Sequence, residues 1–238
     1  MIAGLDPDQI AAARARLPAM RPVDGPWLRI DAAYGAQLAE KARLLADRRD
    51  AVLARLAGSA AAEQEALTEV LTGLRDMPGF HRTGAAMRCP DGRVVPLDGD
   101  PLATIGALVQ EDVCLLVKRG AEHVLIAALL CFPASWTLAE KLGRPLGAIH
   151  GPVASYDDGI ARRVQRLFDG VQPGRPLWRA NLLRYDDPAL FQPRTEADPR
   201  PVGGAQAPWW RSERQTVVRL PGSGAVLFAI HTSVVPIG

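Results

Sequence analysis

Among the four histidines, His150 differs from the others because its sequence neighbours constrain the backbone around it. His150 follows the apolar run 146–149 and directly precedes Gly151-Pro152. Because proline disfavours helical backbone at the residue before it, this histidine is expected on a constrained connection. There it is either a functional residue or a hydrogen-bonded loop residue. His81, in a polar loop, and His123, at the start of a strand after a turn, are expected to face solvent.

Polar residues interrupt an otherwise apolar stretch of predicted strands near the end of the chain. They are Glu213-Arg214-Gln215-Thr216, Arg219, Arg179, Asn181 and His231. A buried arginine requires an anion or a carboxylate, because desolvating the guanidinium alone costs several kcal/mol. Two interpretations stay open at this point. The arginines either bind a ligand or form internal ion pairs and a solvated sheet edge.

Signatures of self-contained nucleotide or metal chemistry are missing. The chain has no HExxH, P-loop, GxSxG or CxxCH pattern, and Gly222-Ser223-Gly224 does not continue as GxGxxG because residue 227 is leucine. Any source of hydride or electrons is therefore expected on another polypeptide. The 28 basic residues are nearly balanced by 26 acidic residues, which disfavours a nucleic-acid binder.

The location of the protein is predicted from what the sequence lacks. The longest apolar run, Val124 to Phe132, is about half the length of a membrane span. The first ten residues have neither the basic start nor the apolar stretch of a secretion signal. The three cysteines, Cys89, Cys114 and Cys131, have no CxxC spacing, as is typical of a reducing compartment. We expect a cytoplasmic protein without membrane contact.

The first 104 residues are rich in alanine and leucine and are expected to form a helical segment that packs on the rest. Asp6-Pro7 places an N-cap before a proline at the first helical position. Asp31 is predicted to cap a longer helix that runs to about Leu56, and Ser59 to begin a third helix. Residues 79–100 are expected to be loop-like.

Residues 105–238 are expected to form an antiparallel sheet crossed by helices. Short helices are predicted at 136–142 and after Asp157, between the second and third strands. The five predicted strands, separated by turn residues, are Val113–Lys118, His123–Phe132, Leu177–Tyr185, Gln215–Leu220 and Ala225–Val235. This order predicts an α+β protein with a PAS-like five-stranded antiparallel sheet, preceded by the helical N-terminal segment.

Several short motifs in a fixed order resemble a known family, the haem-dependent oxidative N-demethylases. This family contains the haem subunit of dimethylamine monooxygenase. The resemblance covers roughly residues 20–237. The matching stretches are Trp27–Asp31 with Tyr34, Val109–Leu116, Phe132–Trp136, Glu140–Gly143, Ile149–Val153 with Tyr156, Arg179–Asn181, Glu213–Thr216 and Arg219–Pro221.

The resemblance implies a haem-dependent monooxygenase subunit, an iron-containing oxidoreductase. It implies that haem b binds non-covalently within the PAS-like domain. It also implies that a separate reductase with a flavin and an iron–sulfur cluster supplies electrons, in agreement with the missing nucleotide motif. The implied reaction consumes O2, hydroxylates an N-methyl group of a small methylated amine and releases formaldehyde.

The resemblance also suggests residues that bind the cofactor. Haem iron takes an axial imidazole, and His150 is the expected ligand. Arg214 and Arg219 are candidates to bind the two propionates. His231, on the last strand, is a candidate second axial ligand or pocket residue. The apolar walls are expected to include Phe168 and Phe228.

Catalytic roles are expected of four polar residues. Oxygen activation requires hydrogen-bond donors, and the candidates are Arg214, Gln215 and Tyr156. A cationic amine requires an acidic or aromatic partner, for which Glu213 is the nearest candidate. Two alternatives remain: a non-catalytic haem-binding sensor or gas-binding module, and a haem-free interaction protein that keeps only the fold.

Overall fold

The computed structural model describes residues 4–15, 19–150, 158–199, 204 and 206–237, without the side chains of His150 and Asp158. The helices in these ranges are α1 Pro7–Ala13, α2 Tyr34–Asp47, α3 Arg49–Val52, α4 Ala60–Leu74, α5 Pro101–Leu108, α6 Leu138–Lys141, α7 Leu146–His150 and α8 Asp158–Gly170. The strands are β1 Arg21–Pro22, β2 Leu53–Arg55, β3 His81–Thr83, β4 Ala86–Arg88, β5 Val94–Pro96, β6 Asp112–Arg119, β7 Glu122–Leu129, β8 Leu177–Tyr185, β9 Trp209–Arg219 and β10 Val226–Pro236.

A seven-stranded antiparallel sheet organises the protein, in the order β1-β8-β9-β10-β6-β7-β2. The predicted α+β class is confirmed, and the five predicted strands correspond to the five long ones. The two-residue strand β1 and the three-residue strand β2 lie at the sheet edges and were not predicted. Short turns join β6 to β7 and β9 to β10. Gly120 adopts φ 60° between β6 and β7, a conformation that favours glycine.

Two expectations for the N-terminal segment are wrong. The helix begun near Asp31 ends at Asp47, and Leu53–Arg55 instead pairs with β7, opposite Leu129 to Ala127. Pairing with an open sheet edge has overridden the helical propensity of this stretch. Residues 79–100 are not loop-like throughout, because β3, β4 and β5 form a small antiparallel sheet there. The predicted N-cap is confirmed: Asp6 accepts a hydrogen bond from the Asp8 amide at 2.8 Å.

The large sheet has two differently covered faces. We call the face packed against α2, α4 and α5 the N-terminal face; its sheet residues include Leu115, Ile126, Ala127, Val218, Leu227 and Ala229. We call the face packed against α6, α7 and α8 the helix-side face; its sheet residues include Cys114, Leu116, Leu125, Val217, Val226, Phe228 and Ile230. Alternation along β6 sends Cys114 and Leu116 to one face and Leu115 to the other. A register shift opposite Leu115 and Leu116 leaves Ile126 as an extra residue in β7, so that Ile126 and Ala127 both join the N-terminal face.

A fully buried ion pair joins α2 to the start of β6. Lys41 Nζ lies 3.1 Å from Asp112 Oδ1, and both side chains are inaccessible to solvent. The ammonium also donates to the Glu111 carbonyl oxygen at 2.5 Å, while Asp112 Oδ2 accepts from the Phe132 amide at 2.6 Å. These contacts fix the N-terminal segment on the sheet. In the part of the chain that the structure describes, no helix is both long and apolar enough to cross a bilayer.

Candidate functional site

The helix-side face divides into an apolar half and a polar half. In the apolar half, Phe168 of α8 and Val171, which follows the helix, pack on residues of β6, β9 and β10. The polar half lies on β8 and β9, where alternation with Leu177 and Val217 places Arg179, Gln215 and Glu213 on the same side. A polar edge beside an apolar floor is the usual composition of a small-molecule site.

Four side chains of the polar half form one hydrogen-bonded chain, which we call the polar network. Arg179 Nη1 donates to Gln215 Oε1 at 3.0 Å, and Gln215 Nε2 donates to Glu213 Oε2 at 2.9 Å. Asn181 Nδ2 donates to the same Glu213 oxygen at 2.9 Å. Asn181 Oδ1 accepts from the Glu213 amide at 2.8 Å. The orientation of both side-chain amides is therefore fixed.

The polar network follows directly from strand register. Arg179 pairs with Gln215, and Asn181 pairs with Glu213, across neighbouring antiparallel strands. Residues two apart on a strand share a face, so the four side chains are adjacent. On the other side of β9, Thr232 pairs with Glu213, and its buried Oγ1 has no hydrogen-bond partner within the described residues.

Glu213 is the acidic member of the polar network. It is 6% exposed, and among the described residues no cation lies within salt-bridge distance of it. Both side-chain donors reach Oε2, so Oε1 keeps its lone pairs. A buried carboxylate arranged in this way is suited to binding a cation.

Arg214 points away from the polar network, to the N-terminal face. Its Nη1 donates to the Trp27 carbonyl oxygen at 3.0 Å and to Thr216 Oγ1 at 2.8 Å. Its Cζ lies 4.6 Å from the Trp178 ring centroid. Burial, helped by the charge of Arg29, lowers the pKa of Arg214 to about 10. The structure therefore does not bring Arg214 together with Glu213 and Gln215.

Arg219 is engaged with the protein's own backbone. Its Nε donates to the Val171 carbonyl oxygen at 3.1 Å, and Nη2 donates to that of Phe168. Its Nη1 donates to the Gly224 carbonyl oxygen at 2.6 Å. These contacts place a cation at the C-terminal end of α8, where the helix leaves carbonyl groups without intrahelical partners.

His231 lies on the N-terminal face, between two acidic side chains. Its Nε2 is 3.0 Å from Asp31 Oδ2, and its Nδ1 is 3.6 Å from Glu111 Oε1, an ion-pair distance too long for a hydrogen bond. Burial alone would lower the pKa of His231, but Asp31 and Glu111 outweigh it and raise the pKa to about 9. The structure thus places His231 in an internal charge cluster.

This cluster makes stability depend on pH. The pKa of His231 rises from 6.5 to about 9 on folding, so its contribution is complete below pH 6.5 and is lost as pH increases towards 9. We expect the free energy of unfolding to fall by roughly 3 kcal/mol over this range. Urea unfolding at half-unit pH intervals should show that His231→Gln flattens the slope. His81→Gln, at an exposed histidine, is the control and should keep the slope of the wild-type protein. An unchanged slope in His231→Gln would show that His231 does not cause the pH dependence.

The remaining predicted residues divide into two groups. Phe168 and Phe228 both lie on the helix-side face, in the apolar half of the site. His150 is the last residue of α7, and the preceding Ile149 packs against the same apolar cluster. The side chain of His150 lies outside the described part. Tyr156 lies in the stretch 151–157, also outside the described residues.

The expectation that His123 faces solvent is wrong, because α8 covers the start of β7. The ring packs 5.4 Å from that of Phe168, and its Nδ1 lies 3.0 Å from Gln165 Oε1. Burial lowers the pKa of His123 and so favours the neutral imidazole. Its Nε2 is buried and has no hydrogen-bond partner among the described residues. The sequence did carry a signal, since His123 alternates with the buried Leu125.

Among the side chains that the structure describes, no group of three or more His, Cys, Asp or Glu is arranged to hold a metal ion. Haem does not need such a group, because the protein supplies its iron with only one or two axial side chains.

Comparison with protein families agrees with the motif resemblance. The model of the family described as haem-dependent oxidative N-demethylase, alpha subunit-like, matches residues 20–238, nearly the whole chain. The family description implies dependence on haem and, for an alpha-subunit-like chain, a partner subunit. The chain therefore belongs to the haem-dependent oxidative N-demethylase alpha subunit-like family.

Proposed function

We propose that this protein is the haem-binding subunit of a monooxygenase that removes a methyl group from a small methylated amine. The observation that carries the proposal is the buried Glu213 carboxylate on the helix-side face of a chain that belongs to this family. Within the described ranges no cation lies at salt-bridge distance from it. An ammonium group of the substrate is the cation that such a carboxylate would bind.

The fold supports a PAS-like haem domain. The five long strands are adjacent in the order β7-β6-β10-β9-β8, and the helices α6 to α8 follow the second of them and cross one face. We propose that residues 105–238 form the haem-binding domain, with residues 1–104 as a segment that supports it. The alternative, a haem-binding sensor without turnover, requires the same domain.

The residues on the helix-side face suit a haem. Apolar side chains such as Phe168 and Phe228 form one wall. The Nε2 of His123 has no hydrogen-bond partner among the described residues and brings an imidazole to that face. His150 ends α7, whose Ile149 packs on the same apolar cluster. We propose His150 as the axial ligand, with His123 as the second candidate. His231 is a weaker candidate because Asp31 already engages its Nε2.

Haem, when bound, would supply the iron needed for reductive activation of dioxygen. In the proposed reaction, one oxygen atom of O2 enters the methyl C–H bond and the other leaves as water. Two electrons come from a separate flavin and iron–sulfur reductase, and two protons come from solvent. The hydroxymethyl amine then eliminates formaldehyde and leaves the demethylated amine.

The chain's own residues would bind and orient the amine. Glu213 would accept a hydrogen bond from the ammonium, with Asn181 and Gln215 holding the carboxylate in place. The hydroxyl of Thr232, which pairs with Glu213 across the strands, would offer a further polar contact. Phe228 and Ile230 would exclude water from the methyl group. Tyr156 is proposed as an additional donor.

An absorption spectrum tests haem binding and identifies the ligand. We expect the wild-type protein, supplemented with haem, to show a Soret band that is lost or shifted in His150→Ala. His123→Ala should be tested in parallel, and His81→Ala is the matched control on an exposed strand. A Soret band that is lost only in His123→Ala would identify His123, on β7, as the axial ligand. Absence of a Soret band from the wild-type protein would contradict the proposed function.

Turnover separates the enzyme from the sensor. Haem-loaded protein, dimethylamine, O2 and a flavin–iron–sulfur reductase should release formaldehyde in a one-to-one ratio with amine consumed. A stable haem complex that releases no formaldehyde would instead support the sensor.

A further inference from the structure

Arg179 carries a charge that the protein does not neutralise through a direct contact. Its guanidinium makes one hydrogen bond, to the neutral Gln215 amide at 3.0 Å, although it has five N–H groups. In the described part of the chain no carboxylate lies within 4 Å of it. Glu213, on the same face, is separated from it by Gln215. The residue is partly buried, so water solvates the guanidinium incompletely.

Other arginines of β8 and β9 are engaged with the protein itself. Arg214 and Arg219 donate to backbone carbonyl groups and lie outside the polar network. Arg211 stacks on Tyr185 and donates to the carbonyl oxygens of Phe132 and Leu190. Arg179 alone among these four combines a neutral side-chain partner with a position on the helix-side face.

The environment of Arg179 favours an anion. Burial is the main influence on its pKa and lowers it, and the charge of Glu213 offsets this only in part. A guanidinium in such a place binds a carboxylate well, because two parallel N–H groups reach both oxygens. Gln215 fixes the position of the guanidinium and leaves its remaining N–H groups available.

We propose that Arg179 binds a carboxylate on the helix-side face, next to the amine site at Glu213. This inference rests on the proposed function, since it concerns ligands of the same site. The carboxylate has two possible sources: a propionate of the haem, or the carboxylate of a substrate that is an N-methyl amino acid. With the second source the substrate would be a zwitterion. Arg179 would bind its carboxylate and Glu213 its ammonium group, and Gln215 lies between these two side chains.

The variants are chosen so that loss of folding does not decide the result. Arg179→Gln removes the charge and keeps a hydrogen-bonding amide. Arg179→Lys keeps the charge without the planar two-pronged geometry and should give intermediate effects. Arg175→Gln is the control, because Arg175 is exposed and lies just before β8. Far-ultraviolet circular dichroism and the unfolding midpoint establish that each variant is folded.

The first arm tests the cofactor as the source. Apoprotein is titrated with haem and with haem dimethyl ester, whose propionates are uncharged. If a propionate binds Arg179, the wild-type protein prefers haem by about tenfold or more, and this preference disappears in Arg179→Gln. The Arg175→Gln control keeps the preference for haem over its ester.

The second arm tests the substrate as the source. Binding of N-methylglycine and of dimethylamine is compared by calorimetry, with and without haem. If a substrate carboxylate binds Arg179, the wild-type protein prefers N-methylglycine by about tenfold, and Arg179→Gln removes that preference.

The two arms together decide the inference. If Arg179→Gln changes neither preference, or the wild-type protein has neither, the inference is overturned. A protein that binds neither haem nor its ester contradicts the proposed function. In that case an Arg179-dependent preference for N-methylglycine still supports the carboxylate site.

Discussion

Lys41→Met is expected to lower the free energy of unfolding by roughly 3–5 kcal/mol. Methionine is similar in size to the aliphatic part of lysine, so the loss would come from charge and not from a cavity. Asp112, which is inaccessible to solvent, would lose the ammonium 3.1 Å away and remain as an isolated buried carboxylate. Guanidinium unfolding followed by circular dichroism measures the change.

A double variant separates the charge from the packing. Asp112→Asn keeps an oxygen for the Phe132 amide but removes the charge, so Lys41→Met/Asp112→Asn should regain about 2 kcal/mol relative to Lys41→Met. Lys118→Met is the surface control, since Lys118 is exposed and pairs with Asp169. It should cost less than about 1 kcal/mol. No recovery in the double variant would show that the loss does not come from the unpaired carboxylate.

Glu213→Gln is expected to have the largest effect on substrate handling. The substitution keeps the shape of the side chain and an oxygen for Asn181, but it removes the charge that would bind an ammonium group. We expect kcat/KM for demethylation of dimethylamine to fall about 30–300-fold, mostly through a higher KM. Steady-state release of formaldehyde measures it.

The specificity of the Glu213 effect needs two controls. Glu40→Gln changes a half-exposed carboxylate on α2, which pairs with Arg43, and should leave kcat/KM unchanged. Haem content and unfolding midpoint should be similar in wild type and Glu213→Gln, because Glu213 is not expected to touch the haem. An unaltered kcat/KM in Glu213→Gln would mean that the amine binds elsewhere.

The long strands could be predicted from the sequence because their signals are local. The turn at 119–122 and the apolar runs beside it locate β6 and β7 to within a few residues. The start of β9 was predicted six residues too late, at Gln215, because the charged residues Glu213 and Arg214 break the apolar pattern there. In the structure these charges lie on opposite faces of the same strand.

The candidate site was only partly predictable for a related reason. Alternation requires Arg214 and Gln215 to point in opposite directions, but it does not tell which one faces the helices. That depends on pairing with β8 and on what covers each face. Likewise, no local pattern predicts that Arg219 contacts the C-terminal end of α8, about 50 residues earlier in the chain. The sequence therefore shows which residues are polar, but it does not predict which groups they contact.

The short strands β1 and β2 of the N-terminal segment also cover part of the outer strands of the large sheet. Each pairs with part of an outer long strand, β1 with two residues of β8 and β2 with three residues of β7, so the segment covers part of both borders of the sheet. Exposed borders of long strands are templates for pairing with other chains, and proteins avoid aggregation by covering them. The first 55 residues therefore serve as a solubility device for the sheet that carries the site. A fragment that lacks them would leave the outer strands β7 and β8 open to pairing with other chains.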